Sequence, residues 1–358
     1  MIWFLLLPIA AQAYISWHVW NILPLPGWIK TVIVILFTLA FLSLFVNFIF
    51  RDDSMSLGVS TFFYEVGTSW LIILLYLFML FLILDVGRLI RLVPASFTNG
   101  SMAGSFTVLF LMIAIFVYGN INYHNKVREE MNIKTPKPLQ HPVKIVMMSD
   151  LHLGYHNRKA ELARWVDMVN KEKPDLILIA GDIIDISVFP VIQQDMASEL
   201  QRLEAPIYAC LGNHEYYANQ PKAISFYRDA GINLLVDASA TVGDITIIGR
   251  DDRTNSGRKH LKSLTQAADM SKVTILLDHQ PYHLEQAERL GIDLQLSGHT
   301  HHGQIWPISW ITEHIYECAA GSWQRGNTHY FISSGIGIWG GKFRIGTHSD
   351  YLVATISN

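Results

Sequence analysis

The stretch GHTHHGQIWP, Gly298 to Pro307, holds three histidines within four positions, His299, His301 and His302, directly after the apolar run DLQLS. One imidazole at the end of a buried strand is usually a packed or surface residue. Three at this spacing point to ligands or proton carriers that work with other segments. Such segments exist. Asp150 and His152 follow VKIVMMS, Asp182 follows DLILIAG, Asn213 and His214 follow PIYACLG, and His279 follows TILLD. A mixed Asp, Asn and His set suits borderline divalent ions such as Mn²⁺, Fe²⁺ or Zn²⁺, whereas all-oxygen sites suit Mg²⁺ or Ca²⁺. The set is too large for one tetrahedral zinc. It matches two divalent ions sharing a carboxylate, held roughly 3.5–4 Å apart, which activate a water and clamp a phosphoryl group for in-line attack. A nearby histidine can protonate the leaving oxygen.

The elements that must position these groups are short buried strands. VKIVMMSD (Val143 to Asp150), DLILIAGD (Asp175 to Asp182) and PIYACLGN (Pro206 to Asn213) read as strands. Lys159 to Lys171 reads as a helix with Leu162, Trp165, Val166 and Val169 on one face. Strand–helix–strand alternation predicts right-handed parallel crossovers. Further strands are expected at 245–249, 274–278, 293–297, 330–334 and 351–356. Two sheets with helices outside would use them all. Ligand sites in α/β sheets collect beyond the carboxyl ends of the strands, and that is where these polar residues fall.

DLHLG (Asp150 to Gly154), GDIID (Gly181 to Asp185), GNHE (Gly212 to Glu215), DHQP (Asp278 to Pro281) and GHTH (Gly298 to His301) resemble, in order, the motifs of the calcineurin-like metallophosphoesterases. The resemblance runs from about Val143 to the C-terminus. It implies an α/β fold, a four-layer α/β/β/α sandwich, and a dinuclear metal-dependent phosphohydrolase, a phosphodiesterase or pyrophosphatase. It assigns Asp150, His152 and His301 to one metal, Asn213, His279 and His299 to the other, and Asp182 to both, with Mn²⁺ as the first expectation. His214 would contact the phosphate and assist the leaving group, with Asp150 as orienting partner. Glycines 181, 212 and 298 are expected to let the backbone turn sharply.

The tail SSGIGIWGGKFRIG (Ser333 to Gly346) is similar to the YkuE-type subgroup and to transmembrane proteins with a metallophosphoesterase domain. In that subgroup a glycine-rich loop and an arginine lie near the site, so Arg344 is expected at a phosphate. His302 stands where membrane-associated relatives with GHTHGGQ have glycine, and is a candidate substrate contact. His283, four residues beyond His279, is expected to be structural. Gln304, Trp306, Trp323 and Trp339 are candidates for an apolar mouth. Some family members cleave the pyrophosphate of UDP-2,3-diacylglucosamine in lipid A synthesis. That implies a phospholipid or nucleotide-linked glycolipid as substrate, although the loops between motifs are too short for a long helical cap.

The chain has 358 residues, 51% hydrophobic and 16% charged, with a net charge of −3. The balance gives no basic patch for nucleic acid. Two cysteines, Cys210 and Cys318, are too few for a disulfide framework. The average hides a division, because the first part of the chain is almost uncharged. A spanning helix needs roughly 20 apolar residues. Candidates run from Met1 to Val19, Trp28 to Phe50, Trp70 to Val93 and Phe106 to Ile121. AQA (Ala11 to Ala13) resembles a signal-cleavage site, but the segment lacks a basic start and more spans follow. Trp3, Trp17, Trp20, Trp28, Trp70, Tyr118 and Tyr123 fit interfacial belts. Asp85 and Arg88 are spaced to pair on one helix face, and Arg91 is read as snorkelling at the span's end. The expected organisation is a four-helix transmembrane region over 1–122, a proline-bearing linker over 123–142, and the phosphoesterase domain over 143–358. Lys126, Arg128, Lys134 and Lys137 would share a side with Arg51, which makes the catalytic domain cytoplasmic by the positive-inside rule. The expected setting is a multi-pass protein of a bacterial inner membrane. A second reading makes the helices the working part, a transporter or sensor with a regulatory metal domain.

Overall fold

A computed structural model describes residues 2–50 and 54–358, and the side chains of residues 2–5 and 48 are outside the description. Arg51 and the Trp3 side chain, used above for orientation and belts, therefore lie outside the described residues. The chain divides into a unit of Met1–Asn120 with Gly340–Lys342, and a unit of Ile121–Trp339 with Phe343–Asn358.

The first unit is helical: α1 (Ile2–Ile22), α2 (Gly27–Ile49), α3 (Leu57–Leu89), the single turn α4 (Ala95–Thr98), and α5 (Met102–His124), which ends in the second unit. Among the described residues, the helices Gly27–Asn47, Leu57–Leu89 and Met102–His124 are long and apolar enough to cross a membrane. The remaining long helix, α1, runs through Ala11–Ala13 without a break. The helix α3 begins well before the expected Trp70. Its first half is rich in Ser, Thr and Gly, but the Thr68 hydroxyl returns a hydrogen bond to Tyr64 O at 2.6 Å, within the helix itself. Gly67 lets the α2 backbone approach, since a Cβ there would lie 2.8 Å from Ser43 C. Asp85 does not pair with Arg88. Its Oδ2 accepts from Tyr14 Oη at 2.7 Å and lies 2.9 Å from His18 Nε2, both on α1. The expectation failed because local spacing says nothing about a partner on another helix. Arg91 lies beyond the end of α3, with φ of 63°.

The second unit holds twelve strands. They are β1 (Lys126–Lys134), β2 (Val143–Met148), β3 (Leu176–Ala180), β4 (Ile207–Cys210), β5 (Asn233–Leu234) and β6 (Ala238–Val242), then β7 (Ile245–Gly249), β8 (Val273–Leu277), β9 (Leu294–Ser297), β10 (Gly321–Arg325), β11 (Thr328–Ile332) and β12 (Ser349–Ser357). They form two six-stranded sheets, ordered β1-β12-β2-β3-β4-β5 and β10-β11-β9-β8-β7-β6. The inner strands β2, β3 and β4 are parallel, as are β7, β8, β9 and β11. Both faces of these strands are covered, which is why they are apolar without interruption. Alternate residues divide between two cores. Ile145, Met147 and Leu178 meet Ile247, Ile275 and Leu296 between the sheets. Val146, Met148 and Ile179 pack outward on Leu162, Trp165 and Val169 of α6 (Lys159–Lys171). Ile248, Leu276 and Ile332 pack on the other outer helices through Leu261, Leu264 and Leu284. The layers are α/β/β/α. Each fully buried Leu or Ile contributes about 1.5–3 kcal/mol of transfer free energy.

The stretch expected as a linker contains β1, which pairs with β12 in parallel from Lys126 to Lys134. Met131 and Ile133 point into the core while Arg128, Glu130 and Lys134 are exposed. Charges on an edge strand block further pairing, and here they made a strand read as a linker. The connection without strand structure is the shorter, proline-bearing stretch 135–142.

Candidate metal centre

The strands β2, β3, β4, β8 and β9 end at one edge, and each hands over chemistry-bearing residues there. Asp150, His152 and His301 form one group, and Asp182, His279 and His299 a second, with the donor atoms of each within 4.8 Å of one another. In the first, His152 Nε2 and His301 Nε2 face each other at 3.0 Å, and His301 Nε2 is 3.3 Å from Asp150 Oδ1. In the second, His279 Nε2 lies 3.0 Å from Asp182 Oδ2, and Asn213 Oδ1 is 2.8 Å from His299 Nδ1. Asp182 Oδ2 is also 3.8 Å from His152 Nε2, so it faces both groups. All seven residues expected as ligands come together.

The local backbone is bent to achieve this. Asp150, His152, Asp182, His299 and His301 all have φ between 44° and 70°. Left-handed backbone at non-glycine residues costs on the order of 1–3 kcal/mol each and persists only where surrounding structure enforces it. Of the three glycines expected at sharp turns, Gly181 has the left-handed φ of 84°. Gly212 and Gly298 serve close approach instead. A Cβ on Gly212 would meet the Asp182 carboxylate, and one on Gly298 would meet Ser149 Oγ and the Asp150 carboxylate.

Several supporting residues had no role in the sequence reading. Asp185 Oδ1 lies 3.3 Å from His152 Nδ1 and 3.2 Å from His214 Nδ1. It, not Asp150, is the partner of His214. Asp150 is held by Ser149 Oγ at 2.6 Å and by the His299 amide at 3.1 Å. The buried Glu215 accepts from the amides of Gly212, Ile184 and Asp182 at 2.7, 3.0 and 3.2 Å, tying two ligand loops together. Both acids stand inside motifs already quoted, GDIID and GNHE, so position within the motif was the available signal.

Arg344 is not at an open phosphate position. It is fully buried. Its guanidinium donates to His301 O at 2.6 Å, Gly337 O at 3.1 Å and Ser334 O, and its Nε to Ser349 Oγ at 3.1 Å. An arginine whose donors all end on protein acceptors clamps the glycine-rich loop to the His301 turn. Burial pulls it down to about 10. His302 sits half-buried with Nε2 2.8 Å from Glu313 Oε1. His283 is exposed, 3.7 Å from Glu285. Trp306 and Trp339 are exposed and Gln304 is buried. Trp323 packs on Tyr330 with ring centroids 5.1 Å apart.

The electrostatics test whether divalent cations fit. Burial alone would raise Asp150, Asp182 and Asp185, but the surrounding histidines hold all three below the usual carboxylate range. Burial likewise opposes a charge on His152, yet Asp150 and Asp185 overcome it and push the imidazole up to about 10. His279 is raised in the same way, with Asp182 overcoming burial. Burial lowers His299 to about 4, and it also lowers His301. The pocket thus gathers three carboxylates whose charge the raised His152 and His279, or divalent ions in place of their protons, can balance. Two ring nitrogens at 3.0 Å repel unless a proton or cation satisfies their lone pairs. Divalent ions fit both demands.

The calcineurin-like phosphoesterase family matches residues 143–303. A metallophosphoesterase of Campylobacter jejuni is 30% identical over 70% of this chain and 69% of its own length. The metallophosphoesterase YkuE of Bacillus subtilis is 33% identical over 54% of this chain and 72% of its own. The transmembrane protein with metallophosphoesterase domain of Danio rerio is 28% identical over 78% of this chain and 70% of its own. From ligand groups, fold and relatives together, the chain belongs to the calcineurin-like metallophosphoesterase family.

Proposed function

We propose that the protein is a membrane-anchored, dinuclear metal-dependent phosphohydrolase that cleaves a phosphodiester or pyrophosphate bond in a phospholipid or nucleotide-linked glycolipid. The observation that carries this reading is Asp182, one carboxylate facing both ligand groups at 3.0 and 3.8 Å. Asp150, His152 and His301 would hold one ion, Asn213, His279 and His299 the other, and Asp182 both. Mn²⁺ is the first choice, with Fe²⁺ or Zn²⁺ next, as the nitrogen and oxygen donors suit them. Bound ions supply Lewis acidity toward a phosphoryl oxygen and an attacking water.

The protein's own groups do the rest. Asp185 Oδ1, 3.2 Å from His214 Nδ1, would orient the ring and leave Nε2 to give a proton to the leaving oxygen. The His214 amide donates to Asp182 Oδ1 at 2.9 Å, so the acid and the shared ligand move as one piece. In this reading His302, paired with Glu313, would contact the substrate, and Arg344 acts only by holding the loop. The long apolar helices support a substrate carried in a bilayer. The setting in this reading is the bacterial inner membrane, with the catalytic unit cytoplasmic, in line with the basic residues that follow α5.

The test is hydrolysis of bis-p-nitrophenyl phosphate by the detergent-purified full chain with and without Mn²⁺, beside Asp182→Asn. Metal-dependent turnover lost in the variant supports the reading. A folded, metal-loaded parent inactive with every divalent ion tried would sink it.

A further inference from the structure

The loop after β7, Arg250 to His260, leaves its sheet at the same edge as His279 and His299, because β7, β8 and β9 are parallel. Several of its polar side chains are committed to neighbours. Arg250 and Arg258 both bind Asp278 at 3.0 Å. Asp251 accepts from Tyr216 Oη at 2.7 Å, and Asp252 from Gln280 Nε2 at 2.9 Å. Arg253 is not among them. It is exposed, and among the described residues no carboxylate pairs with it. Its guanidinium carbon sits 4.2 Å over the Tyr282 ring.

Tyr282 leads from there toward the metal centre. Its hydroxyl is 3.1 Å from the Tyr316 hydroxyl, with the rings 4.9 Å apart. The Tyr316 ring lies edge-on to His299 at 6.4 Å. Two paired hydroxyls carry two protons and use one between them, so the Tyr316 proton is available to another acceptor. The Tyr282 face holds the guanidinium by cation–π attraction, and an exposed arginine fork is suited to gripping phosphate.

We infer that Arg253, lying over Tyr282 and continued by Tyr316, is the positioning site for a second phosphate of the substrate, beyond the one that is hydrolysed. The inference rests on the phosphohydrolase reading and narrows it to substrates with two phosphates. Arg253 is a positioning residue and takes no part in the bond exchange.

The experiment compares two soluble substrates with the full chain in detergent and Mn²⁺. Bis-p-nitrophenyl phosphate carries one phosphate, and UDP-glucose carries two. Arg253→Ala is expected to raise KM for UDP-glucose by about 10- to 100-fold, the effect of losing a hydrogen bond to a charged group. Its kcat/KM for bis-p-nitrophenyl phosphate should stay within about twofold, because an exposed side chain away from the ligands changes little. Arg253→Lys should restore part of the KM, and Tyr316→Phe should weaken UDP-glucose selectively. Binding of UDP-glucose, followed by calorimetry in EDTA where turnover is absent, should weaken in step with KM. Equal losses on both substrates, no loss on either, or a parent that hydrolyses bis-p-nitrophenyl phosphate but neither cleaves nor binds UDP-glucose would overturn the inference. A parent inactive on both would instead defeat the underlying phosphohydrolase reading.

Discussion

Replacing Asp185 with asparagine should produce two separable defects, because one carboxylate oxygen serves two histidines. Its Oδ1 is 3.3 Å from His152 Nδ1, behind the first ligand group, and 3.2 Å from His214 Nδ1, behind the proposed acid. The swap keeps volume and removes charge at a buried position. Losing a partner that orients a metal ligand costs about 10- to 100-fold in affinity or activity. Metal titration should therefore move to higher Mn²⁺ by that factor. Saturating Mn²⁺ should cancel this part and leave the defect at His214, where an acid contributes roughly 10²- to 10⁴-fold. That remainder should depend on the leaving group. A p-nitrophenyl ester departs readily without a proton, whereas an alkyl ester needs one. The assay is kcat at saturating Mn²⁺ on matched aryl and alkyl phosphodiesters. A loss of more than about tenfold confined to the alkyl ester is expected, within the range an acid provides. Equal losses on both esters would refute the role given to His214 and its partner.

Other outcomes follow from the same geometry. Gly212→Ala puts a Cβ against the Asp182 carboxylate, so bound Mn²⁺ measured by elemental analysis should fall while the fold survives by circular dichroism. EDTA should lower the melting temperature of the catalytic unit, since ions at about 1,000 times their Kd stabilise by about 4 kcal/mol. Mn²⁺ uptake should release protons and weaken as pH falls, because His152, raised to about 10, must lose its proton to become a ligand. An indicator dye in weak buffer reads that release. Glu172 receives Arg128 at 2.9 Å and Lys144 at 3.2 Å, and although burial opposes it these partners hold it below the usual range. A lowered carboxylate contributes stability above its unfolded value of about 4.3, and that stability is lost as pH falls through the folded value. Glu172→Gln should lower the melting temperature at pH 7 by an amount worth up to about 1 kcal/mol, and the difference from the parent should shrink as pH falls below the unfolded value.

The candidate ligands were legible because they follow the ends of apolar runs, and the ends of parallel strands share an edge. Eight of the twelve strands could be traced from the same runs, whereas β1, β5, β6 and β10 could not. What stayed hidden was pairing at a distance. The charged stretch of β1 looks like a linker until β12 is placed beside it. Asp85 looks like a partner for Arg88 until α1 brings Tyr14 and His18. Arg344 and a phosphate make a reasonable match by charge, but burial and four carbonyl acceptors decide otherwise. Asp185 and Glu215 lay in view within their motifs, but nothing local says that a carboxylate turns back to orient a histidine or a loop amide.

The central claim is that seven side chains hold two ions that share Asp182. The most direct measurement is metal content per chain after Mn²⁺ loading and desalting, with electron paramagnetic resonance on the same sample. The account predicts two Mn²⁺ per chain with the spin coupling of a bridged pair, and loss of that coupling in Asp182→Asn. One ion per chain, or two that are uncoupled and indifferent to Asp182→Asn, would contradict it.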